Sequence, residues 1–72
     1  MDTIAPFKSR GEALRLYNYL NQRRIASTVI NTPRRFGPGC GLSVVFPAAY
    51  RNEVESFIRR SGISGLVGFY AK

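Results

Sequence analysis

The positions of proline and glycine constrain this chain more than any other feature. They cut its 72 residues into short runs with two different periods, one suited to strands and one to helices. Thr3 to Phe7 is a short apolar run that stops at Lys8-Ser9. Pro6 cannot donate to a strand ladder and marks the end of a strand there. Ser9-Arg10-Gly11-Glu12 has the spacing of a capping box, in which the hydroxyl accepts from the third helical amide and the carboxylate reaches back to the cap. Ala13, Leu16, Tyr17 and Leu20 then fall on one face of a 3.6-residue period, and Leu14 widens that stripe. Arg10, Arg15, Asn18, Gln22 and Arg23 fall mostly outside it.

Ile25 to Ile30 is rich in β-branched residues and reads as a strand that Asn31-Thr32-Pro33 ends. Thr32 to Gly41 holds two Pro, three Gly and two Arg, which marks a loop. Leu42 to Phe46 is a second clear strand with Leu42, Val44 and Phe46 on one face. Pro47 suits the first turn of a helix, where a missing N–H costs nothing. Tyr50, Val54, Phe57, Ile58 and Ser61 follow at helical spacing, Gly62 suits the position just past the helix, and Ile63 can make the apolar contact after it. Leu66 to Tyr70 completes the pattern as a last strand.

The order β-α-β-β-α-β predicts an α+β, ferredoxin-like arrangement: a four-stranded antiparallel sheet with two helices on one face, with residues 1–72 forming one domain. The other sheet face is expected to be more exposed, with Tyr70, Ser43, Val45 and Thr28 on it. Tyr17, Phe46, Phe57 and Phe69 belong to the core by their spacing, whereas Tyr19 and Phe36 lie off the apolar stripes and are surface candidates.

Composition narrows the chemistry. A domain of this size buries only about 60% of the surface its unfolded chain exposes, so the core is one thin layer with little space for an enclosed cofactor. The absence of His removes the commonest general base and metal ligand. A single Cys excludes an internal disulfide and a Cys-rich zinc site. Glu53 and Glu55 sit on one helix but face different directions and make no acid/base pair. The expectation is a protein that is not an enzyme, with no cofactor and no metal. No apolar run approaches the roughly 20 residues of a membrane span. The first eight residues do not read as a secretory signal, and a lone Cys suits a reducing compartment, so the cytoplasm is the expected location.

Cys40 is the one conventional nucleophile in a distinctive setting, Gly37-Pro38-Gly39-Cys40-Gly41. Glycines on both sides remove bulk and permit close approach by another protein. Arg34 and Arg35 lie in the same loop, and cations near a thiol favour the thiolate, the form that attacks sulfur. Such a thiol can accept a sulfur atom as a persulfide and pass it on, but without a second Cys it has no intramolecular resolving partner. A single Cys in a small protein is more often an inert, buried hydrophobe. The loop position and the glycines argue against burial.

Several stretches resemble a small bacterial family, the selenium/sulfur carrier protein-like proteins. They are Phe7-Lys8-Ser9, Glu12-Ala13-Leu14 at the helix start, Thr32-Pro33-Arg34, Phe46-Pro47 and above all Cys40-Gly41-Leu42 before a strand. The likeness covers nearly the full chain. It implies movement of reduced sulfur or selenium, with Cys40 as the carrying residue. A donor such as a cysteine desulfurase and an acceptor protein would be the partners. Around that thiol, Arg34 and Arg35 would lower its pKa or dock a partner, Gly39 and Gly41 would shape the loop, and Thr32 and Pro33 would fix its exit from the strand. Two places depart from the family pattern. The loop reads Phe36-Gly37-Pro38-Gly39 where Ser residues are usual, and Arg24-Ile25 stands where the turn after the first helix usually has Gly.

The basic surface offers a rival reading. Eleven Lys and Arg against four Asp and Glu give a formal charge of +7. That charge could neutralise nucleic-acid phosphates or meet an acidic protein. A sheet of this topology is also how RNA-recognition modules stack bases. The third strand, Cys40-Gly41-Leu42-Ser43-Val44-Val45-Phe46, has the Gly and one Phe of such a module but lacks the preceding basic residue and the stacking pair. Nucleic acid therefore ranks below a protein partner. Gly37, Gly39 and Gly41 precede a strand rather than a helix, which argues against a phosphate-binding loop.

Overall fold

Six regular elements form in the expected order in a computed structural model that describes residues 1–36 and 41–72. They are β1 (Asp2–Pro6), α1 (Arg10–Gln22), β2 (Thr28–Asn31), β3 (Leu42–Pro47), α2 (Arg51–Arg60) and β4 (Tyr70–Ala71). The strands make one antiparallel sheet in the order β2-β3-β1-β4. This is the α+β ferredoxin-like arrangement.

Alternation along the strands sends two sets of residues to opposite faces. Ala5, Phe7, Leu42, Val44 and Phe46 meet Ala13, Leu16 and Leu20 of α1 and Val54 and Ile58 of α2 in the core. Phe69 packs edge-on against Phe46 with ring centroids 6.2 Å apart. Tyr17 and Phe57 are half-buried against the same core. Leu14 does not extend the buried stripe of α1, because it is 44% exposed.

Both helices stop by one device. In α1 the Ile25 amide donates to the Leu20 carbonyl (2.9 Å) and the Arg24 amide to Asn21 (3.0 Å). In α2 Ile63 donates to Ile58 (3.2 Å) and Gly62 to Arg59 (3.4 Å). This is the Schellman pattern, and it requires a left-handed residue at the turn. Gly62 (φ 68°) meets that need without strain, but Arg24 (φ 59°) carries a Cβ there. Ile25 is therefore the buried closing contact of α1 rather than the start of a strand, and β2 begins only at Thr28.

Pro47 also departs from expectation. It ends β3 opposite Asp2 in an extended conformation (φ −63°, ψ 136°), a short 3-10 turn follows at Ala48–Tyr50, and α2 starts at Arg51. The fixed φ of proline fits a strand end as readily as a helix start.

Sequence pattern extends the last strand from Leu66, but only Tyr70–Ala71 is regular. The reason lies in β1. The Pro6 carbonyl accepts from Val67 (2.9 Å), so its ring nitrogen faces β4 on the same side with no hydrogen to give. Between the Phe7–Leu66 and Ile4–Tyr70 pairs the last segment spends three residues where β1 spends two. The extra residue is a bulge at the place where the ladder lacks a donor.

Candidate functional site

The second sheet face is where the structure differs most from expectation. Tyr70, Ser43, Val45 and Thr28 do share it, as their pairing with Ile4 and with one another requires. Yet Ile4 is only 1% exposed, Val45 6% and Ser43 0%. Thr28 and Tyr70, on the two edge strands, are exposed as expected, and the segment after β2 packs against this face at Ser43 and Tyr70. Thr32 leaves the strand with its Oγ1 2.8 Å from the Ser43 Oγ, so that two part-buried hydroxyls satisfy each other. A 3-10 turn at Arg34–Phe36 follows, closed by the Phe36 amide donating to the Pro33 carbonyl (3.0 Å). Phe36 then stacks on Tyr70 of β4, with centroids 4.6 Å apart and planes at 27°.

β2 and β4 are opposite edges of the sheet, three inter-strand spacings or roughly 14 Å apart. A residue three positions after Thr32-Pro33 thus reaches across β3 and β1 to the far strand. Phe36 is a strap rather than a free surface ring. Arg35 reinforces it, its guanidinium carbon 4.8 Å from the Phe36 centroid. Tyr19, the other aromatic expected on the surface, lies between the helices. It stacks on Phe57 at 4.1 Å and donates to the Glu53 carboxylate (2.9 Å), which also pairs with Arg23 (3.1 Å).

The return of the chain is as closely specified. The Gly41 carbonyl accepts from the Thr32 amide (3.1 Å), and the Phe7 amide donates to the Leu42 carbonyl (3.0 Å). Gly41 is therefore held between the end of β2 and the end of β1. An ideal Cβ built on it would fall onto the carbonyl oxygen of Phe7, with the carbonyl carbon 3.3 Å away. Only glycine fits against a backbone group that close.

Of the residues that sequence reasoning assigned to the site, Thr32 and Gly41 are bonded to each other, and Pro33 leads into the 3-10 turn. Arg34 and Arg35 are exposed on that turn. Gly39 and Cys40 lie outside the described residues. Among the described residues no helix is long and apolar enough to cross a membrane.

The next support of this end is Glu12. The expected capping box is half formed: the Ser9 Oγ accepts from the Glu12 amide at 3.4 Å. The Glu12 carboxylate does not return to the cap. It accepts from Ser64 (3.2 Å) and Gly65 (2.8 Å), more than fifty residues on. Gly65 in turn accepts from Lys8 through its carbonyl (2.8 Å). Two convergent amides outbid one local one, so Glu12 ties the start of α1 to the segment after α2. No local motif marks that use of the residue.

Comparison with known families decides the assignment. The model of the family described as Putative Se/S carrier protein-like matches residues 2–66. The chain belongs to that family. The match takes in the Thr32–Gly41 segment, the Phe7–Gly41 contact and the Glu12 tie, and it stops short of Phe69 and of Tyr70 in β4. No curated protein and no solved structure matches the chain.

Proposed function

We propose that this protein holds a sulfur or selenium atom on Cys40 and relays it between a donor and an acceptor protein, as a stoichiometric carrier rather than an enzyme. The observation that carries the reading is the fixed glycine immediately after the thiol-bearing residue. Gly41 is bonded to Thr32 and pressed against the Phe7 carbonyl, while Phe36 is strapped to Tyr70. The described residues on both sides of the Gly37–Cys40 stretch are thereby firmly anchored. A rigid frame around a nucleophile suits repeated handover between two partners. Membership of a family described as carrying selenium or sulfur supports the same conclusion.

The transfer balances without an external oxidant. The Cys40 thiolate attacks the terminal sulfur of a donor persulfide, R–S–SH. A new S–S bond forms on Cys40, the donor S–S bond breaks, and the donor leaves as the thiolate R–S⁻. In the second step an acceptor nucleophile takes the terminal sulfur and Cys40 leaves as the thiolate. A cysteine desulfurase is the donor class that presents such a persulfide, and selenium in the terminal position would travel by the same two displacements. Arg34 and Arg35 favour the thiolate or meet the partner, and Gly39 shapes the approach. The reducing conditions this thiol needs are those of the cytoplasm.

The test is intact-mass analysis after incubation with a persulfide donor. The expected result is one adduct of about 32 Da, a single sulfur atom, that is absent in Cys40→Ser. No adduct, or the same adduct in the serine variant, overturns the proposal.

A further inference from the structure

The charge of this protein is polarised along the sheet. Seven of the eleven basic residues lie on the segments that meet where β1 and α2 end and α1 and β3 begin. Lys8 and Arg10 flank the start of α1. Arg15, one turn further, reaches across to donate to the Ser61 carbonyl at 3.4 Å, just past the end of α2. Arg59 and Arg60 form the last turn of α2. Arg34 and Arg35 follow Thr32, whose amide is bonded to Gly41 at this same end. All seven are exposed.

The acids here are two, and both are engaged. Glu12 spends its oxygens on Ser64 and Gly65, and Glu55 lies 3.7 Å from Arg59. Seven cations against two acids leave +5 of the total +7 at this end. The remaining four cations and two acids leave +2 for the rest of the molecule.

The geometry points to this end as the docking surface for an acidic protein surface, rich in Asp and Glu, on the donor or acceptor of the carried atom. The partner's role rests on the carrier reading above, but the surface does not. Six of the seven cations are Arg, whose planar fork matches carboxylates in pairs. RNA fits less well. The sheet face on which bases would stack is mostly covered, with Ile4, Ser43 and Val45 buried and the Phe36 and Tyr70 rings stacked on each other, and Thr28 and Tyr70 exposed at its two edge strands. Concentrated charge of one sign also steers encounter, so a partner arrives with its acidic face toward this end.

Two pairs of substitutions with equal change of net charge test the surface. Arg10→Gln with Arg60→Gln alters this end, and Arg24→Gln with Lys72→Gln alters the other. The probes are a short fluorescent oligoglutamate peptide and a single-stranded RNA of the same length, read by anisotropy at low and at physiological salt. The first pair is expected to weaken oligoglutamate binding about fivefold, and the second by less than about twofold. Equal losses from both pairs would show that binding follows net charge alone and would overturn the proposal. So would RNA binding more tightly than oligoglutamate at physiological salt. Sulfur uptake on Cys40 from a small-molecule polysulfide is measured on the same samples and is expected to survive the Arg10/Arg60 substitutions. Wild-type protein that binds oligoglutamate at this end yet takes up no sulfur would sink the carrier reading and leave the docking surface standing.

Discussion

Replacing Gly41 by Ala probes the frame around Cys40 with a single methyl group. The added Cβ meets the carbonyl oxygen of Phe7, a backbone atom just past β1 that lies between the Phe7–Leu42 and Lys8–Gly65 hydrogen bonds. Neither partner can swing away as a side chain would, so β1 and the start of β3 must separate. Two hydrogen bonds lie at that junction, Phe7 to Leu42 and Thr32 to Gly41. Each is worth about 1 kcal/mol net. Overpacking at a fixed contact costs about 1–3 kcal/mol more, since the surroundings yield only in part. With both bonds lost, the expected loss is about 3–5 kcal/mol. Chains of this length have a total stability of roughly 4–11 kcal/mol, so the loss is a large share of it. Urea unfolding followed by circular dichroism measures it directly. Gly11→Ala is the control, because the nearest atom there is the Ser9 Oγ at 3.7 Å and alanine is the better helix former. It should gain about 0.5–1 kcal/mol. If Gly41→Ala lies within about 0.5 kcal/mol of the wild type, in the range of an ordinary surface change, the argument for a forced glycine is wrong.

Two further changes test the end of α1 and the tie at its start. Arg24 occupies a left-handed position that costs a residue with a Cβ about 1 kcal/mol. Arg24→Gly should therefore be more stable than Arg24→Ala, which removes the same charge but keeps the Cβ; equal melting temperatures would refute the strain. Glu12→Gln keeps the shape of the side chain but leaves one oxygen for the two amides of Ser64 and Gly65. It should lose about 1–2 kcal/mol in the same urea assay, and an unchanged midpoint would show that water replaces the tie at no cost.

The element order was legible because several boundaries have a local chemical cause. Ser9 starts α1, the turn at Gly62 ends α2, and alternation at Leu42, Val44 and Phe46 sets the buried face of β3. The Ile25 and Pro47 departures are local ambiguities, whereas three others depend on a partner distant in sequence. Leu66 to Phe69 has the pattern of a strand, and Pro6 across the sheet interrupts it. Glu12 has the spacing of a cap, and Ser64 and Gly65 draw its carboxylate away. Phe36 has no periodic neighbours, so its stack on Tyr70 leaves no trace in local pattern. A large aromatic ring in a loop of Gly, Pro and Arg was the one available signal. At the site, the glycines beside Cys40 read as room for a partner protein to approach, whereas the object Gly41 must avoid, the Phe7 carbonyl of its own chain, was not readable.

The bulge opposite Pro6 also bears on self-association. An exposed sheet edge is a template on which another chain can add a strand, and it becomes hazardous when long, flat and apolar. Here β4 offers two regular residues and the irregular Val67–Phe69 stretch, and at the other edge β2 has four residues whose end members, Thr28 and Asn31, are polar and exposed. A proline placed one strand inward thus protects the outer edge. It does so by denying that edge a hydrogen bond, with no charged gatekeeper on β4 itself, and growth of the sheet by strand addition is held in check from within.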